Sequence, residues 1–232
     1  MKKENQIKLF IALNVVFFIL SVITDVLYMN LYRPYVFKTL ASVTFVVWSL
    51  INLTLMVAFK NTLNKKFMIF MFIGQIFACI GDILLIDFFI IGACFFAVGH
   101  IFFFVSYFFL QKFKWQDLIY IVATIIFSIA FILISKVDLG NLAILVFIYA
   151  IVISTMLGKS LTLFKGNKII ASVIFIGSLM FYLSDLFLML NIFGNVSFSA
   201  GALCLIFYYP AEFVLASSIG VVGLISKKEN NN

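Results

Sequence analysis

Residues 67–110 have the sequence FMIFMFIGQIFACIGDILLIDFFIIGACFFAVGHIFFFVSYFFL, which contains no lysine or arginine and only two carboxylates, Asp82 and Asp87. A transmembrane α-helix needs roughly 20 consecutive, mostly apolar residues. This stretch is therefore long enough for two membrane-spanning helices. Asp87 lies at a tight turn between them, so the two helices are predicted to form an antiparallel hairpin.

The rest of the chain follows the same pattern. Of its 232 residues, 65% are hydrophobic and 11% are charged, whereas a soluble domain is nearer half apolar and a quarter charged. Short polar breaks divide the sequence into apolar runs of membrane-spanning length. The sequence therefore predicts an all-α, polytopic integral membrane helix bundle, with residues 1–232 forming a single membrane domain. About eight transmembrane helices are predicted, at residues 7–28, 38–59, 67–86, 88–110, 117–135, 141–158, 168–191 and 198–225.

The basic residues are unevenly distributed between the two sides of the predicted bundle. With the N-terminus inside, 13 of the 16 lysines and arginines fall on the inner side, and Arg33, Lys38 and Lys136 fall outside. Because cytoplasmic loops are enriched in basic residues, this predicts a multi-pass protein of the cell membrane with both termini in the cytoplasm. The net charge of +7 belongs to these loops, so nucleic-acid binding is not expected. The first apolar run is too long for a signal-peptide core, and we expect it to be retained.

Five ionisable side chains fall within the predicted spans: Asp25, Asp82, His100, Asp185 and Glu212. Such groups are costly in a bilayer and are therefore candidates for functional sites. At a rise of ~1.5 Å per residue, Asp82 and Asp185 reach a similar height in two outward-running helices, and His100 and Glu212 lie nearer the midplane. These four groups can therefore meet in one cavity. Asp25 is close to a helix end and is expected to be an interfacial cap.

Small residues share the helix faces of Asp82 and Asp185. Because small residues allow close packing of membrane helices, both aspartates are expected to face the bundle and not the lipid. The dipeptides Thr24-Asp25, Gly81-Asp82 and Ser184-Asp185 each place a small residue before an aspartate late in an odd-numbered helix. Matches this short arise easily by chance, and they do not establish a repeat.

The residue types that are missing narrow the chemistry. The sequence has neither a G-x-S-x-G elbow nor a G-x-x-x-x-G-K-[ST] phosphate loop. Its single histidine makes a three-histidine zinc site impossible. The three cysteines lie in apolar runs without a C-x-x-C pair and are expected to be small buried hydrophobes. We expect neither a metal nor another cofactor. A serine triad around His100 stays open, although no serine is marked by its context.

Five motifs occur in order along the chain. They are Lys38-Thr39-Leu40, Gly81-Asp82-Ile83-Leu84-Leu85, Phe89-x-x-Gly92-x-x-x-Phe96-x-x-Gly99-His100-Ile101, Gly177-x-x-x-Phe181-x-x-Ser184-Asp185-x-x-Leu188 and Tyr208-Tyr209-x-Ala211-Glu212. As an ordered set they resemble the motifs of the YhhN family of lysoplasmalogenase-like membrane proteins, and the resemblance covers almost the entire chain. Two positions depart from the family's pattern: Thr39 stands where proline is usual, and Glu212 where glutamine is usual.

The resemblance implies an eight-helix hydrolase that cleaves the vinyl-ether bond of lysoplasmalogens, giving a fatty aldehyde and a glycerophospho-alcohol. Vinyl ethers are hydrolysed through protonation of carbon and an oxocarbenium ion, and glycosidases handle a related cation with two carboxylates. We therefore take Asp82 and Asp185 as the catalytic pair, without deciding which is the acid. His100 is expected to orient water or a carboxylate.

Substrate binding is expected to involve Lys38, Ser184, Tyr209 and Glu212, with Lys38 near the outer surface and in reach of the head-group phosphate. The expected partner is a lysophospholipid drawn from the bilayer, and the oligomeric state is left open. Two other functions also stay open. Intramembrane carboxylates build the proton relays of transporters and proton-coupled carriers, and in other proteins buried polar groups only pack helices together.

Overall fold

The computed structural model describes residues 2–31 and 34–229. Every regular element among them is a helix. The eight long helices are α1 (Lys3–Leu31), α2 (Thr39–Ala58), α3 (Lys65–Leu84), α4 (Phe89–Phe108), α5 (Asp117–Ile134), α6 (Ala143–Thr162), α7 (Lys168–Phe193) and α8 (Ala200–Glu229). A π-helical turn at Pro34–Lys38 precedes α2, and 3₁₀ turns at Gly140–Leu142 and Leu163–Lys165 flank α6. Arg33, which was predicted to face outward, lies outside the described residues.

All eight helices are long and apolar enough to cross a membrane, which confirms the predicted all-α polytopic bundle. The observed helix ends lie within four residues of the predicted ones. Helix α1 begins earlier than expected because its polar first residues continue the helix, with Lys8 Nζ 2.6 Å from Glu4 Oε1 one turn away. The surface of the bundle is apolar, as a lipid-facing surface should be: Ile134 is 78% exposed and Ile144 is 76% exposed.

Lys159 corrects one predicted boundary. The sequence placed it in a polar loop after the sixth span, but it lies inside α6 and is fully buried. Its Nζ is 2.6 Å from Oδ2 of Asp117, the first residue of α5, and lies 4.8 Å from the ring centre of Phe108. Because its charge is paired, Lys159 can be buried within the bundle, and α6 continues past it to Thr162.

Helices α3 and α4 pack as the predicted hairpin. A Cβ atom added to Gly81 would lie 3.0 Å from the main-chain oxygen of Gly92, and one added to Gly99 would lie 3.2 Å from that of Gly74. The two backbones approach this closely because glycines face each other across the contact. The hairpin fixes the distance between Asp82 on α3 and the residues of α4.

The two ends of the bundle differ in their connections. The end at which α1 begins and α8 ends is called the terminal end, and the opposite end is called the distal end. At the terminal end, Asn64 Nδ2 donates to Ser226 Oγ at 2.7 Å, which brings the α2–α3 connection against the C-terminal part of α8. At the distal end, Tyr35 donates from its hydroxyl to Asp87 Oδ1 at 2.7 Å. Helix α8 is central, because it packs against α1, α2, α3 and α7. The residues around Asp82 and Asp185 lie mainly in the distal half of the bundle.

Candidate functional site

Asp82 is held by three donors from two other parts of the bundle. It lies near the distal end of α3 and is 3% exposed. Its Oδ1 is 3.1 Å from Lys38 Nζ. Its Oδ2 accepts hydrogen bonds from Ser42 Oγ at 2.6 Å and from the Tyr209 hydroxyl at 3.0 Å. An ion pair with two further hydrogen bonds fixes this carboxylate in one orientation.

Lys38 and Ser42 reach Asp82 because of the π-helical turn that leads into α2. Lys38 is the last residue of that turn, and Ser42 follows one helical turn later. Lys38 is only 8% exposed. The sequence predicted it near the outer surface and in reach of a head-group phosphate; in the structure its ammonium pairs with Asp82 and lines a cavity, and the contact with a phosphate stays a prediction. Ser42 was not singled out from the sequence, because one serine in an apolar helix carries no signal of its own.

Asp185 has a different set of partners. It lies on α7, and its Oδ2 accepts a hydrogen bond from the Tyr149 hydroxyl of α6 at 2.7 Å. The same Oδ2 is 3.3 Å from Nε2 of His100 on α4, and this Nε2 is 3.0 Å from the Tyr149 hydroxyl. His100 is fully buried and packs edge-on against Phe181, with ring centres 4.5 Å apart. The predicted proximity of His100 and Asp185 is therefore observed, and Tyr149 joins them.

A polar cavity of about 210 Å³ connects the two aspartates. Both Asp82 and Asp185 line it, and so do Lys38 and Ser184. The wall between the aspartates is apolar and consists of Leu85, Phe96 and Leu188, while the distal rim includes Tyr28, Asn191 and Gly201. Two carboxyl groups with separate hydrogen-bond partners thus face one partly open space, into which water and a polar ligand fit.

A second, apolar groove meets this cavity. The groove lies between α4, α6 and α7, has a volume of about 60 Å³ and is lined mainly by aliphatic and aromatic side chains. It shares four lining residues with the polar cavity: Leu85, Phe96, Asp185 and Leu188. Asp185 therefore stands where a polar space and an apolar space join.

Two of the predicted substrate-binding residues lie behind the cavity wall. Tyr209 is 1% exposed and does not itself line the cavity, although its hydroxyl donates to Asp82 and its ring packs against that of Tyr208, which does. Glu212, one turn further along α8, is fully buried, and neither of its carboxyl oxygens has a hydrogen-bond partner in the described part of the chain. The nearby Gln75 amide donates to the main-chain oxygen of Glu212 at 3.3 Å. Ser184, by contrast, lines the cavity and lies 3.4 Å from Cys204 Sγ.

Asp25 is not the interfacial cap that its position suggested. Helix α1 continues for six residues beyond it to Leu31, and the side chain is buried at 8% exposure. Its Oδ1 is buried without a hydrogen-bond partner among the described residues, and its carboxyl interacts electrostatically with that of Asp82. The dipeptide that it shares with Gly81-Asp82 and Ser184-Asp185 was the one sequence signal for this location.

Within the described residues, no group of three or more histidine, cysteine, aspartate or glutamate side chains is arranged to hold a metal ion. The site consists of two separate arrangements, one around each aspartate. The Asp82 arrangement carries a lysine charge, whereas the Asp185 arrangement contains a tyrosine and a histidine. The two arrangements together present two carboxyl groups, hydroxyl donors, an ammonium and an imidazole.

A family model describing the YhhN family matches residues 33–219, which is most of the chain. The chain belongs to the YhhN family. This confirms the resemblance drawn from the ordered motifs, and the matched region includes every residue of both aspartate arrangements. Asp25 lies outside the region that defines the family. Neither a curated protein nor a solved structure matches the chain.

Proposed function

We propose that this YhhN-family protein is a membrane hydrolase that cleaves the vinyl-ether bond of lysoplasmalogens with Asp82 and Asp185. The observation that carries this proposal is the single cavity lined by both aspartates, each with different hydrogen-bond partners. Hydrolysis through an oxocarbenium ion needs one group that gives a proton and one that carries negative charge. Two carboxyl groups in unlike surroundings can divide these roles.

The partners of each aspartate favour one division of roles. Asp82 is paired with the Lys38 ammonium and accepts two further hydrogen bonds, an arrangement that suits the carboxylate. Both contacts of Asp185 end on Oδ2. Asp185 Oδ1 then carries the transferable proton. Asp185 is accordingly the acid, Asp82 carries the charge, and Tyr149 with His100 keeps Asp185 in place.

The reaction balances with one water molecule. Asp185 gives its proton to the β-carbon of the vinyl ether, and the electron pair of the double bond forms the new C–H bond. The resulting oxocarbenium ion is attacked by water at the carbon next to the oxygen, and the released proton returns to Asp185. The hemiacetal then breaks its C–O bond to give a fatty aldehyde and a glycerophospho-alcohol. Asp82, across the cavity, stabilises the positive charge of the intermediate.

Aldehyde release tests this proposal. Purified protein in detergent micelles is incubated with an alkenyl lysophosphatidylethanolamine, and the fatty aldehyde is trapped and quantified. We expect aldehyde formation without an added metal or nucleotide. Absence of aldehyde from every vinyl-ether lysolipid, in protein that is folded and monodisperse, would contradict the proposed reaction.

A proton-coupled carrier is the second candidate, and Glu212 is the observation that favours it. A fully buried carboxyl group whose oxygens accept no hydrogen bond from the described residues resembles the sites at which transporters hold a proton. A carrier would take up protons with its substrate in sealed liposomes and would leave the substrate intact. Aldehyde release distinguishes the enzyme from the carrier directly.

We further propose that the terminal end of the bundle faces the cytoplasm of the cell membrane, since 13 of the 16 basic residues fall on that side. Exposed Ser197 and Thr62 lie in connections at opposite ends. In a variant lacking the native cysteines, Ser197→Cys should react with a membrane-impermeant maleimide on intact cells. Thr62→Cys should react only after permeabilisation, and the opposite pattern would invert the topology.

A further inference from the structure

The apolar groove between α4, α6 and α7 adjoins the polar cavity, with which it shares lining residues, but has a different character. Apart from Asp185 and the Tyr149 hydroxyl at its junction with the cavity, its lining is hydrocarbon, including Ala93 and Leu145. A polar ligand finds few hydrogen-bond partners in such a space, whereas an alkyl chain is stabilised by each methylene group that it buries there. The groove therefore suits the apolar part of a ligand whose polar part lies in the cavity.

The outline of the groove indicates how a chain would enter. Its distal end is closed by a ring contact between Phe89 and Phe193, whose centres are 6.0 Å apart. Its lining nevertheless reaches the surface of the bundle, because Ile192 is 41% exposed. A chain in this groove thus passes sideways between the helices, where the neighbouring molecules are the hydrocarbon tails of the bilayer.

We propose that this groove binds the first carbons of the single hydrocarbon chain of a lysolipid, so that the first polar–apolar junction of the lipid lies at Asp185. The proposal rests on the proposed function, because in a lysoplasmalogen that junction is the vinyl ether. A groove and a polar cavity that meet at Asp185 suit an amphipathic ligand that enters from the lipid side. Ala93 of α4 and Leu145 of α6 then determine which chains are accepted, although these two residues take no part in the chemistry.

Ala93 provides the test, since it is small, lines the groove and has a matched neighbour. Ala93→Phe fills the groove with a ring, and Cys94→Phe places the same ring on the exposed face of the same helix. Two substrates are compared, a hexadecenyl and an ethenyl lysophosphatidylethanolamine, the second of which has no carbon beyond its double bond. We expect Ala93→Phe to lower kcat/KM for the hexadecenyl lipid at least about tenfold and to change that for the ethenyl lipid less than about twofold. Cys94→Phe should match the wild type on both.

A second pair of variants tests the groove independently, in case Ala93→Phe does not fold. Leu145 lines the groove from α6, and Ile144 beside it is exposed to lipid. Leu145→Trp should show the same loss for the long chain, and Ile144→Trp should not. A groove that only packs helices would instead lower the rates for both chain lengths together, and this outcome would overturn the proposal.

Binding separates failure of the groove from failure of the reaction. The saturated hexadecyl ether of the same lysolipid has no vinyl group, and its binding is measured by native mass spectrometry. Ala93→Phe should weaken its binding relative to Cys94→Phe. If the wild type releases no aldehyde but this difference in binding remains, the groove is correct and the reaction is wrong. Rates and binding of Ala93→Phe equal to those of the wild type would overturn the groove.

Discussion

Two lysine–aspartate ion pairs are buried in the described part of the bundle, and they differ in what they can reach. Lys159 and Asp117, at the terminal end, are both fully buried, and their 2.6 Å contact is closed off by the Phe108 ring. Lys38 and Asp82, in the distal half, are 3.1 Å apart and line a cavity. A polar pocket also lies near the first pair, but it is lined by Lys114 and Lys165 and not by the pair itself.

This difference separates a structural use of buried charge from a chemical one. Lys159 and Asp117 join α5 to α6, and Asp117 also accepts a hydrogen bond from the Lys114 main-chain N–H and lies 4.0 Å from Lys165 Nζ. Asp82 shares a space with a second aspartate, and its pair leaves that space accessible to water and ligand. Intramembrane charge alone therefore does not mark a functional site in this protein. A charge that lines a cavity beside a second ionisable group does.

The largest expected effect concerns activity. Asp82→Asn should reduce aldehyde release roughly a hundredfold to ten-thousandfold, because the charge opposite the acid is lost. Asp117→Asn should leave the rate per folded molecule within about twofold of the wild type, since distant sites act independently. Initial rates, normalised to the monodisperse fraction, measure both. Equal losses in the two variants would remove the distinction between the pairs.

The effects on stability should follow the reverse order, with the larger loss at the Lys159–Asp117 pair and the smaller loss at the Lys38–Asp82 pair. Lys159→Met removes the nearer counter-ion of Asp117 and leaves only Lys165, 4.0 Å from its Oδ1, so we expect the free energy of unfolding in micelles to fall by up to about 3 kcal/mol. Lys38→Met should cost less, because Asp82 keeps its bonds to Ser42 and Tyr209 and borders the cavity. Asp117→Asn combined with Lys159→Met should recover part of the loss. A larger loss for Lys38→Met than for Lys159→Met would contradict the comparison.

A smaller effect is expected at Tyr149, the hydroxyl that joins Asp185 and His100. Tyr149→Phe removes a hydrogen bond to the catalytic aspartate, and we expect kcat to fall about tenfold. Tyr107→Phe is the matched control, because that buried hydroxyl is 2.8 Å from Ser178 Oγ and does not line the cavity. An unchanged rate in Tyr149→Phe would show that Asp185 does not depend on this contact.

The sequence predicted the helices well, because the length and apolar composition of a membrane-spanning segment can be read from the sequence without knowing its contacts. It also identified Asp82, His100 and Asp185, since ionisable groups stand out against apolar spans. The single-domain assignment stays a prediction. The boundary at Lys159 was wrong because a buried lysine and a loop lysine look the same until the partner on another helix is known.

The partners of the aspartates could not be predicted in the same way. Ser42 and Tyr149 are ordinary residues of apolar helices, and only the packing of α2 against α3 and of α6 against α7 gives them a role. Lys38 was predicted near the outer surface, but its ion pair with Asp82 could not be predicted, because it depends on how the π-helical turn packs against α3. Asp25 was misjudged because α1 continues beyond it. Each of these errors concerns contacts between helices, which a single sequence does not contain.

The most direct test of the account is a double-mutant cycle on the two cavity aspartates. Aldehyde release is measured for the wild type, Asp82→Asn, Asp185→Asn and the protein with both changes. If acid and charge act as one unit, each single change removes most of the rate, and the double variant is little slower than either, because groups that act together are strongly non-additive. A fully active Asp82→Asn or Asp185→Asn protein, or losses that simply multiply in the double variant, would contradict the paired mechanism.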